Sequence, residues 1–272
     1  MTLLSHAIVE GDRGASRTMA FLHGILGSSS NWRSFAKRLI AEKPGWRALL
    51  IDLRKHGGSQ DADPPHTLAA CAADVAELEK QVGRIDAVLG HSFGGKVALE
   101  YVFRKKDLEV AWILDSAPGA RPDRRGSEST VQIVKLIGTL PERFDTREDF
   151  VEYIEKQGVE RGIAMWLAMN VRQAADGKGY VMRADVPALR ALLDDYFARD
   201  LWSVVEDPAR TTKIHIVAGG KSSVLDLGER ARAERNAAQW PDSTWLHVVP
   251  GAGHWVHVDA PNELFDLVVH YT

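Results

Sequence analysis

The chain has little cysteine, no long apolar run and no surplus of positive charge, and each shortage argues against a class of protein. Its one cysteine, Cys71, cannot form an internal disulfide. No apolar stretch approaches the roughly 18 residues that span a bilayer. The formal net charge is −3 and the basic residues are scattered, which argues against a nucleic-acid partner. We expect a cytoplasmic monomer or homodimer that has neither a membrane nor a nucleic acid as its partner.

Motifs that bind metals or nucleotides are also missing. No His-x-x-x-His spacing and no paired cysteines appear, and the pair His254 and His257 lacks further ligands nearby. There is no glycine-rich phosphate loop. The first residues, MTLLSHAIVEGDRG, hold two acids and only a brief apolar run, so they predict a strand and a turn rather than a signal peptide. We expect no metal and no cofactor.

Short apolar runs alternate with longer helical patterns along the chain. Runs of β-branched and aromatic residues predict strands, and apolar residues at three- and four-residue spacing predict helices. Such alternation is typical of an α/β fold with a mostly parallel, doubly wound sheet. The predicted strands are residues 3–9, 18–22, 47–51, 87–89, 110–114, 214–218 and 245–249, and the predicted helices are residues 31–42, 67–82, 94–104, 227–239 and 261–270.

One long segment interrupts this alternation. From residue 119 to residue 207 the pattern is helical throughout, as in TVQIVKLIGTL and DFVEYIEKQG, and the segment follows a Pro-Gly turn. It is too long to be a loop. We predict a helical cap at residues 119–207, inserted into a core domain of residues 1–118 and 208–272.

The stretch GHSFGG, residues 90–95, places a serine where a predicted strand ends and a helix begins. A G-x-S-x-G pattern in this setting forces a sharp turn, in which the serine is strained and the glycines leave room only for hydrogen. The hydroxyl then projects from the carboxyl edge of the sheet, next to N–H groups of the helix start. We predict that Ser92 is a catalytic nucleophile.

A serine hydroxyl needs a base to take its proton and a third group to orient that base. Among ten histidines, His254 is our candidate base, because it lies in the glycine-rich loop PGAGHW between the last predicted strand and the last helix. The nearby His257 is its rival. We expect His23 and His91 to be packed, hydrogen-bonded residues at the sheet edge rather than proton carriers.

Attack at a carbonyl also needs two N–H donors for the oxyanion. The N–H of Phe93, directly after Ser92, is one candidate. The other is the N–H of Ile25 in FLHGILGSSSNW, where His23 and Gly24 turn the chain after a predicted strand. Both donors are backbone groups, so the identity of their side chains matters little.

Four motifs in this order resemble those of the α/β-hydrolase superfamily: HGILGSSSNW, DLRKHGGS, GHSFGGKVAL and GAGHWVHVDAP. With the inserted segment they cover nearly the whole chain. The finer pattern is similar to a branch of small bacterial and mitochondrial esterases and thioesterases, in which the second motif reads D-L-R-N-H-G-x-S and a cap helix carries F-L-x-x-N-L, here WLAMNV. The serine argues against the dehalogenase and epoxide-hydrolase members, whose nucleophile is an aspartate.

The acid of the triad departs from the commonest pattern of this superfamily. It usually follows the strand after the cap in a G-x-x-D turn, but that position is Ser222 in AGGKSSVLD. A serine cannot stabilise an imidazolium as a carboxylate does. Asp115 ends the strand next to the one that carries Ser92, and the esterase branch is similar in using this position. We expect Asp115 to be the acid, with Asp226 as the alternative.

These residues imply that the chain cleaves a carboxylic ester or thioester of a small acyl substrate through an acyl-enzyme. Carbon–carbon bond hydrolysis or peracid formation on the same triad, and a slow-turnover ligand receptor, are the alternatives. Asp52 and Arg54 are expected to lock a turn by hydrogen bonds rather than to act in catalysis. We expect the substrate site to include His23, Gly24, His91, Trp166 and Asn170.

The apolar residues of the cap allow two interpretations. They either roof an acyl pocket or pack the cap onto the sheet. The residues concerned are Met165, Trp166, Met169, Tyr196, Phe197 and Trp202.

Overall fold

A seven-stranded sheet forms the centre of the protein, in a computed structural model that describes residues 3–12 and 14–272. In chain order the strands are β1 (His6–Val9), β2 (Arg17–Leu22), β3 (Trp46–Ile51), β4 (Ala87–His91), β5 (Val110–Leu114), β6 (Val171–Gln173), β7 (Tyr180–Met182), β8 (Lys213–Gly219) and β9 (Thr244–Val249). The order in the sheet is β1-β3-β2-β4-β5-β8-β9, and only β1 runs antiparallel to its neighbour. The predicted fold class is confirmed.

Helices cover both faces of this sheet. They are α1 (Arg33–Glu42), α2 (Leu68–Val82), α3 (Phe93–Arg104), α4 (Glu128–Ile137), α5 (Arg147–Lys156), α6 (Arg161–Leu167), α7 (Val186–Ala198), α8 (Trp202–Val205), α9 (Leu227–Gln239), α10 (Val256–Asp259) and α11 (Pro261–Tyr271). Side chains of α1 and α11 pack on one face, and those of α2, α3 and α9 on the other. Within the described residues, no helix combines the length and the apolar character needed to cross a membrane.

The central strands read as uninterrupted apolar runs because both of their faces are buried. In β5 every residue is buried. Successive side chains of a strand point to opposite faces. Trp112 and Leu114 therefore pack toward α1 and α11, whereas Ala111 and Ile113 pack toward α2 and α3.

The sequence predicted that the segment between β5 and β8 is helical throughout, and the structure corrects this prediction. The segment holds α4 to α8, but β6 and β7 also pair in an antiparallel hairpin. Between them lies the turn DGKG, in which Gly177 and Gly179 have φ angles of 75° and 72°. A left-handed backbone conformation of this kind ends a helix. The chain therefore reverses its direction at this turn, and the residues on either side pair as β6 and β7.

Lys96 links this segment to helix α3. Its side chain is fully buried, and Nζ donates hydrogen bonds to the carbonyl oxygens of Gly119 (2.8 Å), Tyr196 (2.7 Å) and Arg199 (2.7 Å). Burial lowers the pKa of Lys96 to about 7. Because Lys96 lies on α3, four residues after Ser92, it fixes the start of this segment and the end of α7 to the helix that follows the serine.

Replacing Lys96 with methionine removes these bonds while it keeps most of the side-chain volume. Three carbonyl groups, two of them buried, then lose this donor, and we expect Lys96→Met to lower the free energy of unfolding by about 2–4 kcal/mol. Urea unfolding of both proteins measures the change. As a control, Lys37→Met alters an exposed lysine of α1 and should change stability by less than about 0.5 kcal/mol. Equal effects of the two substitutions would contradict the role of Lys96.

Candidate active site

Ser92 occupies a strained turn between β4 and α3. Its φ and ψ angles are 52° and −117°, in a region that costs about 1–3 kcal/mol for a residue with a side chain. The turn is tight because α3 starts against the end of β2. A Cβ atom at Gly94 would lie 2.6 Å from the carbonyl oxygens of Leu22 and His23. Only glycine fits there, which is the reason that the sequence analysis gave for this spacing.

Asp115 lies directly after β5, and its carboxylate is completely buried. Three donors satisfy it. Oδ1 accepts a hydrogen bond from the N–H of Gly219 (3.0 Å). Oδ2 accepts from the hydroxyl of Ser222 (2.5 Å) and from Nδ1 of His254 (2.7 Å). The serine at the usual place of the acid is thus a hydrogen-bond donor to an acid on the neighbouring strand.

Asp226 does not contact this cluster. Its side chain accepts a hydrogen bond from the N–H of Glu229 (2.9 Å) and begins α9 as an N-cap. Such a cap stabilises a helix by about 1 kcal/mol. The alternative acid from the sequence analysis therefore has a structural role in the fold.

The loop that carries His254 reaches Asp115 because it passes very close to the end of β8. A Cβ atom at Gly219 would lie 2.1 Å from the carbonyl oxygen of Gly253. In contrast, a Cβ atom at Gly251, in the same glycine-rich loop, would have nothing within 4 Å. His91 fixes the loop from the other side, since its Nε2 donates to the carbonyl oxygen of His254 (2.8 Å).

His257, the rival base, makes a different set of contacts. Its ring packs 4.7 Å from that of Trp32 and 4.8 Å from that of His91, measured between centroids. Burial lowers the pKa of His257 to about 4, and burial with two neighbouring histidines lowers that of His91 well below its ordinary value. Both rings are neutral near pH 7. Of the two candidate bases, only His254 forms a hydrogen bond from Nδ1 to the carboxylate of Asp115.

The loop after β2 lies directly against Ser92. A Cβ atom at Gly24 would lie 3.5 Å from Cβ of Ser92. Within the described part of the chain, no backbone hydrogen bond uses the N–H of Ile25. Phe93 is the first residue of α3, and the first N–H groups of a helix have no intrahelical partner. Both predicted oxyanion donors are therefore available beside the serine.

Two histidines hold this loop in shape. His23 donates from Nδ1 to the carbonyl oxygen of Gly24 (2.8 Å) and accepts at Nε2 from the N–H of Leu53 (3.0 Å). His56 accepts at Nε2 from the N–H of Leu26 (3.0 Å). Because both rings use one nitrogen as an acceptor, each must be neutral. Burial lowers the pKa of His23, and it lowers that of His56 to about 3.

The segment DLRKHGGS surrounds the same loop with further hydrogen bonds. Asp52 accepts from the N–H groups of Ser29 (2.7 Å) and Gly58 (2.9 Å). Arg54 forms two hydrogen bonds to the carboxylate of Asp74, at 2.7 and 2.9 Å. Neither side chain borders the cavity beside Ser92. These contacts agree with the predicted turn-locking role.

A cavity of about 250 Å³ opens beside Ser92 and His254. Of the predicted substrate contacts, His23, Gly24, His91 and Trp166 line it. Asn170 is not among the lining residues; its amide donates to the carbonyl oxygen of Leu26 (2.8 Å) and so holds the loop after β2.

Of the six apolar residues considered as a roof, Trp166 alone lines the cavity, and its ring centroid lies 4.7 Å from that of Trp255. Neither Met165 nor Met169 lines the cavity, and the two residues are 56% and 41% exposed. The other three are buried in the core: Tyr196, Phe197 and Trp202.

Several cavity residues were not among the predicted site residues, because they come from segments far apart in the chain that only the fold brings together. These residues are Thr130, Ile133, Ile163, Lys221 and Trp255. Within the described residues, no group of three or more His, Cys, Asp or Glu side chains is arranged to hold a metal ion.

The neutral state of His56 has a consequence for stability at acid pH. Its pKa is lowered to about 3 in the folded chain, so between about pH 6.5 and pH 4.5 the unfolded chain binds a proton that the folded chain does not. The free energy of unfolding therefore falls as the pH falls, by up to about 1.4 kcal/mol per pH unit for this residue. We expect His56→Asn to reduce that slope.

Urea unfolding across this pH range measures both slopes. His270→Asn, an exposed site on α11, is the matched control and should keep the slope of the unchanged protein. If His56→Asn kept it as well, the neutral acceptor role of His56 would be wrong.

Comparison with known proteins assigns the chain to a family. The model of the alpha/beta hydrolase family matches residues 19–267. The chain is 27% identical to the sn-1-specific diacylglycerol lipase ABHD11 of Mus musculus, over 98% of this chain and 84% of the lipase. It is also 27% identical to the esterase YbfF of Escherichia coli, over 93% of this chain and 92% of the esterase.

Among solved structures, a marine microorganism esterase superposes with a TM-score of 0.82 at 22% identity, covering 99% of both chains, and this likeness supports the fold. The mostly parallel sheet of this chain, its turn at Ser92 and the match to the family model all support one assignment. The chain belongs to the alpha/beta hydrolase family.

Proposed function

We propose that this carboxylic ester hydrolase uses Ser92 as its nucleophile, His254 as its general base and Asp115 as the acid that orients the base. The observation that carries the proposal is the 2.7 Å hydrogen bond between Nδ1 of His254 and the buried carboxylate of Asp115, in a loop that borders the same cavity as Ser92. Relatives named as a lipase and an esterase support the ester-hydrolase class.

The hydrogen bond to Asp115 determines which nitrogen of His254 does the chemistry. A carboxylate accepts, so Nδ1 carries the proton and Nε2 has a free lone pair. Nε2 takes the proton of Ser92 as the oxygen attacks the carbonyl carbon of the substrate. The imidazolium that forms is stabilised by the negative charge of Asp115.

The remaining steps follow from the groups around Ser92. The N–H groups of Ile25 and Phe93 stabilise the oxyanion of the tetrahedral intermediate. His254 then returns its proton to the leaving alcohol or thiol, which leaves the acyl group on Ser92. Water, activated by the same histidine, attacks the acyl-enzyme and releases the acid.

The residues around the cavity indicate a small acyl substrate, held as an ester or a thioester. Ile133, Ile163 and Trp166 supply an apolar wall, and all three belong to the inserted segment. A volume of about 250 Å³ lies below the range of about 300–1,000 Å³ that is typical of ligand pockets. We infer that residues 119–207 act as a cap over a core of residues 1–118 and 208–272, and that this cap limits the length of the acyl chain.

Steady-state hydrolysis of p-nitrophenyl esters of increasing acyl length tests the proposal. We expect turnover of short acyl esters that falls as the chain lengthens, and a loss of about 10³-fold or more in kcat for Ser92→Ala. A variant as active as the unchanged protein would show that another group is the nucleophile. No turnover of any ester by either protein would remove the ester-hydrolase proposal itself.

Two matched substitutions test the choice of acid. Asp115→Asn keeps the shape of the side chain but removes its charge, and we expect kcat to fall about 10³- to 10⁴-fold. Asp226→Asn makes the same change at the helix cap, where asparagine serves as well as aspartate, so kcat and stability should stay as they are. A large loss of kcat in Asp226→Asn with little loss in Asp115→Asn would reverse the assignment.

A further inference from the structure

Apart from its histidines, the charged side chains that line the cavity carry only positive charge. Among the described residues that line it, no aspartate or glutamate appears, and Lys221 is the one lysine or arginine. The chain as a whole has 37 acidic and 34 basic residues, so the wall departs from the average of the protein. The Asp115 carboxylate lies behind this wall and is already satisfied by its three donors.

The backbone around Lys221 is held firmly. Its N–H donates to the carbonyl oxygen of Ala252 (2.9 Å). Arg230 donates to the carbonyl oxygens of Gly219 (2.8 Å), Ser222 (2.9 Å) and Leu225 (2.8 Å), so it fixes the loop on both sides of the lysine. Within the described residues, the exposed ammonium group has no carboxylate partner. A rigid backbone therefore presents a free cation to the cavity.

Residues that carry hydroxyl groups line the same cavity as this cation. Ser223 comes from the same loop, and Ser129 and Thr130 come from α4, and all three line the cavity. The two segments touch at this point: a Cβ atom at Gly126 would lie 2.4 Å from the carbonyl oxygen of Ser223. One ammonium and three hydroxyls on adjoining segments can all donate hydrogen bonds to an anion.

We propose that Lys221 is a specificity residue that binds an anionic oxygen group, a carboxylate or a phosphate, carried by the ester or thioester substrate. This inference rests on the ester-hydrolase function proposed above. An ammonium acts on such a group as a point charge, and the cavity wall offers the anion no repelling carboxylate. The group belongs either to the acyl half of the substrate or to the leaving half, and the two halves can be tested separately.

Two pairs of esters separate these cases, and the members of each pair differ only in a free carboxylate against its methyl ester. The acyl pair is p-nitrophenyl hemiglutarate and p-nitrophenyl methyl glutarate. The leaving-group pair is p-carboxyphenyl butyrate and its methyl ester. For each pair the measured quantity is the kcat/KM of the anionic ester divided by that of the neutral one.

We expect Lys221→Gln to lower this ratio about two- to fivefold for one of the two pairs, as for a single partly exposed ion pair, and Lys221→Glu to lower it further. The pair that responds identifies the half that carries the anion. The matched control is Lys213→Gln, an exposed lysine at the start of β8, which should leave both ratios unchanged. Unchanged ratios in both Lys221 variants would overturn the proposal.

A binding measurement decides the same question without turnover. In the Ser92→Ala background, Trp166 and Trp255 line the cavity and report binding of the intact esters by fluorescence. Adding Lys221→Gln should raise the Kd of the responding anionic ester about two- to fivefold more than that of its neutral partner. Equal changes for both members would overturn the role of Lys221. Cleavage of the esters by Ser92→Ala would instead overturn the role of Ser92, so the two failures are distinguishable.

Discussion

A buried carboxylate without solvent must find its hydrogen-bond donors within the protein, and Asp115 is the group that imposes this constraint here. Its donors come from the end of β8, from the loop after it and from the loop after β9. Satisfying one side chain thereby brings three segments of the carboxyl edge together. His254 is one of these three donors, so the hydrogen bond that satisfies the Asp115 carboxylate also orients the proposed base.

The other half of the site depends on neutral histidines. His23 and His56 can accept backbone hydrogen bonds only while they are unprotonated, and their burial keeps them so near pH 7. The loop that they hold supplies the proposed oxyanion donor at Ile25. Asn170 ties the inserted segment to the same loop, and Lys96 ties that segment to α3. Donors that are held rigidly in this way can stabilise the negative charge that develops on the substrate oxygen, because they need not reorganise during the reaction.

The sequence predicted the parts of this arrangement that depend on local spacing. Strands buried on both faces read as apolar runs, and the turn at Ser92 shows itself by its glycines. Asp115 could be inferred because Ser222 stands where the acid usually lies. The sequence could not predict that Ser222 donates to that acid, because the contact joins residues 107 positions apart. The same holds for Lys221, which lines one cavity with Thr130 and Ser129 although these residues are about 90 positions away in the chain.

Two features could not be predicted from the sequence pattern. They are the hairpin of β6 and β7 and the hydrogen bond of Asn170. Strands of three residues are too short to give a periodic signal, so the helical pattern on either side dominated the prediction. Asn170 lies in a motif that pointed to the substrate, but its amide satisfies a backbone carbonyl, and only the position of the loop after β2 reveals this.

The most direct test of the account is covalent labelling with a fluorophosphonate, which reacts with a serine only when a base has activated it. Intact-mass measurement and peptide mapping identify the modified residue. We expect a single adduct, located on Ser92, in the folded protein and none after denaturation. An adduct on another serine, or no adduct on the folded protein, would contradict the claim that the Asp115–His254 pair activates Ser92.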